Sequence, residues 1–232
     1  MRWAAINGLA ALFVGIMVAV PALAAPEGHC MAARKSGGCV KGQVTDMDGV
    51  LRPGLHVYYS QPTQRYDHGI LGDATEWGGL VYLHQGTAAH GPYSVTEITL
   101  PKTRVFEDIA PRLVDLDGDG SPEIIVIETH LQKGAQLAIY GLENGGLKKR
   151  AATPHIGRAH RWLAPIGAAD LDGDGHIEIV YIDRPHLARV LKIWQFRKGG
   201  LTLVAERGGL TNHQIGQDYI SGGIRDCGGG RR

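Results

Sequence analysis

Apolar residues along this chain come in short runs, each cut off by glycine, proline or a polar turn. After the first 24 residues no segment keeps apolar positions at i, i+3, i+4 and i+7 over several turns, so the pattern predicts strands rather than helices. In the first half the strand candidates are His56–Ser60 (HVYYS), Leu80–His84 (LVYLH) and Val95–Leu100 (VTEITL). Pro53-Gly54, Gly78-Gly79 and Gly91-Pro92 punctuate them. The order is clearer after Arg104. Glu123–Glu128 (EIIVIE) and Gln136–Leu142 (QLAIYGL) read as strands, and the ENGG turn at Glu143–Gly146 leads into LKKRAA. The same plan then recurs. Glu178–Asp183 (EIVYID) and Arg189–Phe196 (RVLKIWQF) are followed by an RKGG turn and LTLVAE.

The recurrence has a period. Asp115 and Asp170 are 55 residues apart, and Tyr140–Leu147 aligns with Trp194–Leu201 at an offset of 54. A nearly fixed period of this size marks a repeat architecture. Each unit holds about four short strands, the content of one propeller blade. The expected fold is all-β, a β-propeller-like array of four-stranded repeats. It divides into a degenerate blade at about 44–100, repeats at about 104–157 and 158–215, and a partial repeat at 216–232. In that last piece Ile224-Arg225-Asp226 stand where the second copy has Ala168-Ala169-Asp170. This length falls short of the four blades of the smallest usual ring, so the array is expected to be incomplete at the C-terminus or to close through another copy.

The first residues follow a different rule. Arg2, the apolar run Leu9–Val20 and the PALAA ending describe a secretory signal peptide over 1–24, with cleavage after Ala24. The run is too short to span a bilayer comfortably, which takes about 20 residues, and no later run is long enough. Residues 25–43 are polar and aperiodic and read as a flexible tail. A signal peptide implies a periplasmic or secreted protein in an oxidising compartment. Cys30 and Cys39 would there close a small loop and leave Cys227 over, or all three thiols stay idle; sequence does not set connectivity. The balance of 24 basic and 23 acidic residues gives no basic surface for nucleic acid. Thirty-four glycines, about twice the usual ~7% share, strengthen the all-β reading.

Chemistry concentrates in two segments, DLDGDGSPE from Asp115 and DLDGDGHIE from Asp170. Counting from the first aspartate, carboxylates fall at positions 1, 3, 5 and 9, where a tightly curled loop lets them converge. Gly120 and Gly175 permit the sharp turn. Position 7, Ser121 or His176, offers its backbone carbonyl, so its side chain is free to differ. Carboxylates gathered this closely resist ionisation unless a cation sits among them, and six to eight hard oxygen donors suit Ca²⁺ better than Mg²⁺. No Cys/His cluster suggests zinc. An EF-hand needs an acid at position 12, which is Val126 in one copy and Tyr181 in the other. Asp46-Met47-Asp48-Gly49 imitates only the start of such a loop and reads as a turn.

With the acid at position 9 and the strand after it, GAADLDGDGHIEIVYIDRP resembles the FG-GAP/VCBS repeat, the calcium-loop blade of integrin-α-type propellers, here of an exported bacterial type. The resemblance covers about Arg104–Gly230. It implies that Asp115, Asp117, Asp119 and Glu123, with the carbonyl of Ser121, hold one Ca²⁺. Asp170, Asp172, Asp174 and Glu178, with the carbonyl of His176, would hold a second. Glutamate stands at position 9 where the family more often has aspartate.

Other residues carry weaker signals. His68, His155, His160, His186 and His213 fall in loops and in no hydrolase or metalloenzyme spacing. Trp77, Trp162 and Trp194 read as core between blades before they read as a sugar-binding face. LKKR at Leu147–Arg150 reads as a solvated strand edge. The expected function is a calcium-binding structural or interaction module meeting a protein or glycan, with no assigned catalytic residue. A hydrolase or lyase on a propeller scaffold is the alternative, and a pocket gathering His, Asp and Arg away from the two loops would favour it.

Overall fold

The computed structural model describes residues 55–85 and 93–225, together with the backbone of two short strands at 31–32 and 39–40. The signal segment, the Cys30–Cys39 bridge, the Asp46–Gly49 turn and Asp226 fall outside the described residues. Within them the chain is all-β. Strands β1 (Met31–Ala32) and β2 (Cys39–Val40) pair antiparallel.

Three antiparallel meanders follow. The first is β3 (Leu55–Thr63), β4 (Glu76–Gln85) and β5 (Tyr93–Thr99), with β4 between the other two. A short β6 (Arg104–Phe106) ties it to the next meander, pairing with β4 at Trp77↔Phe106 and with β8 at Val105↔Thr129. The second meander is β7 (Arg112–Val114), β8 (Glu123–His130), β9 (Gly134–Glu143) and β10 (Gly146–Ala152). The third is β11 (Leu163–Ala169), β12 (Ile177–Asp183), β13 (Val190–Arg197) and β14 (Gly200–Gly208). The two later meanders are thus a propeller-like pair of four-stranded units. From Gly209 to Arg225 the chain forms no strand, including the described part of the expected partial repeat.

Local chemistry explains the hairpins. Asn144-Gly145 and Lys198-Gly199 each have positive φ at both residues (51° and 75°, then 52° and 73°). That is the two-residue turn whose twist matches antiparallel strands. The turns set Glu143 opposite Gly146 and Arg197 opposite Gly200.

The interior strands lie between two cores. Ile124, Val126, Ala138 and Tyr140 belong to a cluster with Tyr59, Trp77 and Phe106 of the first meander and β6. Their neighbours Ile125, Ile127, Leu137 and Ile139 belong to another with Trp162, Ile179 and Phe196. Alternate side chains of β8 and β9 therefore bury against different neighbours, and covering both faces requires the unbroken apolar run. Trp77 and Trp162 are buried in these clusters as expected of core residues. Trp194 is half-buried and donates to the Tyr181 hydroxyl at 2.9 Å.

Candidate metal centres

Each acidic loop is closed by a strand pair. Val114 faces Glu123 across β7 and β8, and Ala169 faces Glu178 across β11 and β12. The acid at position 9 is therefore anchored in a ladder, and the residues before it must curl. Gly118 and Gly120 take φ of 74° and 87°, and Gly173 and Gly175 take 79° and 84°. A Cβ at any of the four would meet open space, so backbone conformation rather than room selects glycine there.

Carboxylates hold the curl. Asp115 accepts from the amides of Gly118 and Gly120, both at 2.9 Å, while Asp170 accepts from Gly173 at 2.6 Å and Gly175 at 3.0 Å. Glu123 accepts from the Leu116 amide and Glu178 from the Leu171 amide, each at 2.8 Å through Oε2. Both glutamates are almost fully buried. The ligand atoms of Asp115, Asp117 and Glu123 lie within 4.8 Å of one another, and those of Asp170, Asp172 and Glu178 do the same. Asp119 and Asp174 are outside these triplets; each turns an oxygen to a backbone amide two residues on, Ser121 at 2.7 Å and His176 at 2.8 Å. Six of the ten expected ligands are thus gathered, and the other four stand in the same loops.

The donor set fits a hard divalent cation. It is all oxygen, from carboxylates fixed by backbone amides, with no sulfur or imidazole. Burial raises the Glu123 carboxyl above its ordinary range, and the charges of Asp117 and Asp119 add to that, against the Leu116 amide and Arg150. At the second loop the His176 amide is the main influence lowering Asp174.

Around this shared frame the two loops differ in one side chain that sequence reading missed. Arg150 reaches from β10 into the first loop, pairing with Glu123 Oε1 and, at 2.9 Å, with Asp117 Oδ2. Its stem crosses β9 at Gly141, where a Cβ would lie 2.6 Å from the Arg150 Cδ. In the third meander the residue opposite the loop glutamate is Gln195. Its amide donates to Asp174 at 2.9 Å and Glu178 at 3.1 Å. A cation thus serves the first loop and a neutral amide the second. The expected solvated edge at Leu147–Arg150 is corrected accordingly. Leu147 is buried, Lys149 pairs with the buried Glu128 at 2.6 Å, and Arg150 is committed to the loop. Arg150 is the bulged residue of β10, between the Lys149↔Tyr140 and Ala151↔Ile139 pairs, so no regular alternation along the sequence aims it at the loop.

Residues 115–181, from the first aspartate of one loop to the strand after the other, match the FG-GAP-like repeat family. The chain carries an FG-GAP-like repeat. The FG-GAP-like match begins at Asp115 and ends within β12 at Tyr181, so it takes in both loops and the β8–β10 hairpins between them. No curated protein and no solved structure gives a significant match to the chain.

Proposed function

We propose that this protein is an exported, calcium-binding FG-GAP-like repeat module that acts through a protein or glycan partner. The observation that carries the calcium reading is the placement of a carboxylate triplet at the same point of two successive meanders, with atoms inside 4.8 Å in each. Asp115, Asp117 and Glu123 would hold one ion and Asp170, Asp172 and Glu178 the other, with Asp119, Asp174 and the carbonyls of Ser121 and His176 completing the shells. Bound Ca²⁺ would supply positive charge where four acidic side chains share one loop, and so brace the strand–loop–strand corner. Export rests on the leader-like first 24 residues. Extracellular calcium modules commonly bind in the range of roughly 10⁻⁴–10⁻³ M, and the same is expected here.

A thermal melt tests the brace. A ligand that binds only the folded state at 100 times its Kd adds about 2.7 kcal/mol. CaCl₂ at about 10–100 mM, 100 times the expected Kd, is therefore expected to raise the melting temperature by several degrees over chelator, with MgCl₂ much less effective. Equal melting in chelator, magnesium and calcium would contradict the proposal.

A further inference from the structure

Away from both acidic loops, the turns after β3, before β11 and after β12 enclose a cavity of about 220 Å³. Three histidines of these turns, His68, His160 and His186, line it together with Arg161, Arg184 and the indole of Trp162. None of these residues was singled out by sequence spacing as a set, because they come from three separate turns.

The cavity wall is built rather than incidental. His68 turns Nδ1 to Glu107 at 2.5 Å, and Glu107 is fully buried. The Thr129 hydroxyl donates to the other Glu107 oxygen at 2.5 Å, and Trp162 Nε1 donates to the Glu107 carbonyl at 2.7 Å. A buried carboxyl is costly unless it is bonded; here its bonds fix one imidazole, and among the described residues Nε2 of His68 has no protein partner. On the other side, His213 Nε2 lies 3.1 Å from the Gln217 carbonyl and must donate to it. Its Nδ1 then accepts from His186 Nε2 at 3.0 Å, which leaves His186 Nδ1 as an acceptor. Burial keeps both of these rings low in basicity, and burial together with the charge of Arg161 pushes His68 down to about 4.

Backbone strain falls at the same place. His160 and Arg184 have φ of 54° and 48°, a region that non-glycine residues rarely enter. Both are tied down: the His160 amide donates to the Tyr66 hydroxyl at 2.6 Å and the Arg184 amide to the Trp162 carbonyl at 3.0 Å. Such strain concentrates at ligand clamps and other functional sites. The charges are uneven. Arg184 shares Asp183 with Lys192, two cations on one carboxylate. Among the described residues the Arg161 guanidinium donates only to the His160 carbonyl and pairs with no carboxylate. The rim is apolar, with Leu187 62% and Ile215 72% exposed.

We propose that this cavity is a binding site for a small carboxylic acid with an apolar body. Arg161 and Arg184 hold the carboxylate, the acceptor nitrogens His68 Nε2 and His186 Nδ1 face the electropositive edge of an aromatic body, and Trp162, Leu187 and Ile215 cover it. The cavity is smaller than the roughly 300–1,000 Å³ of drug-sized pockets, which limits the ligand to about the size of one substituted ring. No bond is made or broken. The site is independent of the calcium loops and does not rest on their reading.

Benzoate, with benzamide as its neutral counterpart, is the probe. Imidazole resonances of the purified full chain would be followed by NMR during each titration, assigned through His68→Gln and His186→Gln. Saturable shifts of the His68 and His186 signals with benzoate, and binding of benzamide at least tenfold weaker, are expected. Arg161→Ala combined with Arg184→Ala should weaken benzoate at least tenfold. Leu187→Asp, on an exposed side chain, should do the same without touching the buried wall. The proposal is overturned if benzoate gives no saturable shift, if benzamide binds as tightly, or if the folded Leu187→Asp protein binds benzoate like the parent.

Discussion

Arg150 is where the two loops part. A cation entering the first loop must take Asp117 and Glu123 oxygens that the guanidinium already engages, whereas in the second loop it displaces only the weaker amide contacts of Gln195. The first loop thus carries part of its charge balance within the protein. Arg150→Ala is expected to lower the melting temperature in chelator and to tighten calcium at the first loop by about 2- to 5-fold, the range given by a partly exposed ion pair of up to ~1 kcal/mol. Site-resolved calcium titration checks it; an unchanged or weakened first site would contradict the competition. The glycines give a second residue-level test. Gly120→Ala or Gly175→Ala forces a side chain into left-handed backbone and should cost about 1–2 kcal/mol by denaturant unfolding, although no atom lies in the way of the new methyl.

At the scale of elements, β8 and β9 carry the stability. Leu137 is fully buried among Ile125, Ile127 and Trp162, so Leu137→Ala should cost about 2–5 kcal/mol. A loss below 1 kcal/mol in chemical unfolding would mean that the two meanders do not share that core. These strands were legible because two-sided burial leaves an uninterrupted apolar run, and their turns were legible because Asn144-Gly145 and Lys198-Gly199 are good hairpin turns. β6, β7 and β11 were not. In Leu163–Ala169 (LAPIGAA) a proline and a glycine interrupt any strand pattern, yet β12 supplies the ladder and a bulge between Pro165 and Gly167 absorbs the irregularity. β6 and β7 are only three residues each, and the stretch between them turns away from β8 around the Asp108–Arg112 pair. Tertiary partners, which sequence pattern does not contain, decided all three. The site divided the same way. Asp115, Asp117 and Glu123 were readable from spacing along one segment, while Arg150, Gln195 and the histidine-lined cavity depend on contacts between segments.

For the whole molecule, burial holds His68, His155, His186 and His213 below the ordinary imidazole range, and His68 as low as about 4. The unfolded chain, with histidines near 6.5, then binds more protons than the folded one between about pH 6.5 and 4. Stability is therefore expected to fall as pH drops through that window and to level off above it. Melting temperatures in chelator from pH 8 to 4 check this, and a flat profile down to pH 5 would contradict it. The larger architecture joins three meanders through shared cores, with the acidic loops set at corresponding corners of the second and third. That correspondence makes calcium stoichiometry the sharpest test of the central claim. Calorimetric titration of the purified chain with CaCl₂ should show two binding events per chain, with Asp117→Ala removing one and Asp172→Ala the other. No heat in the unmodified protein, or two events surviving in either variant, would contradict the account.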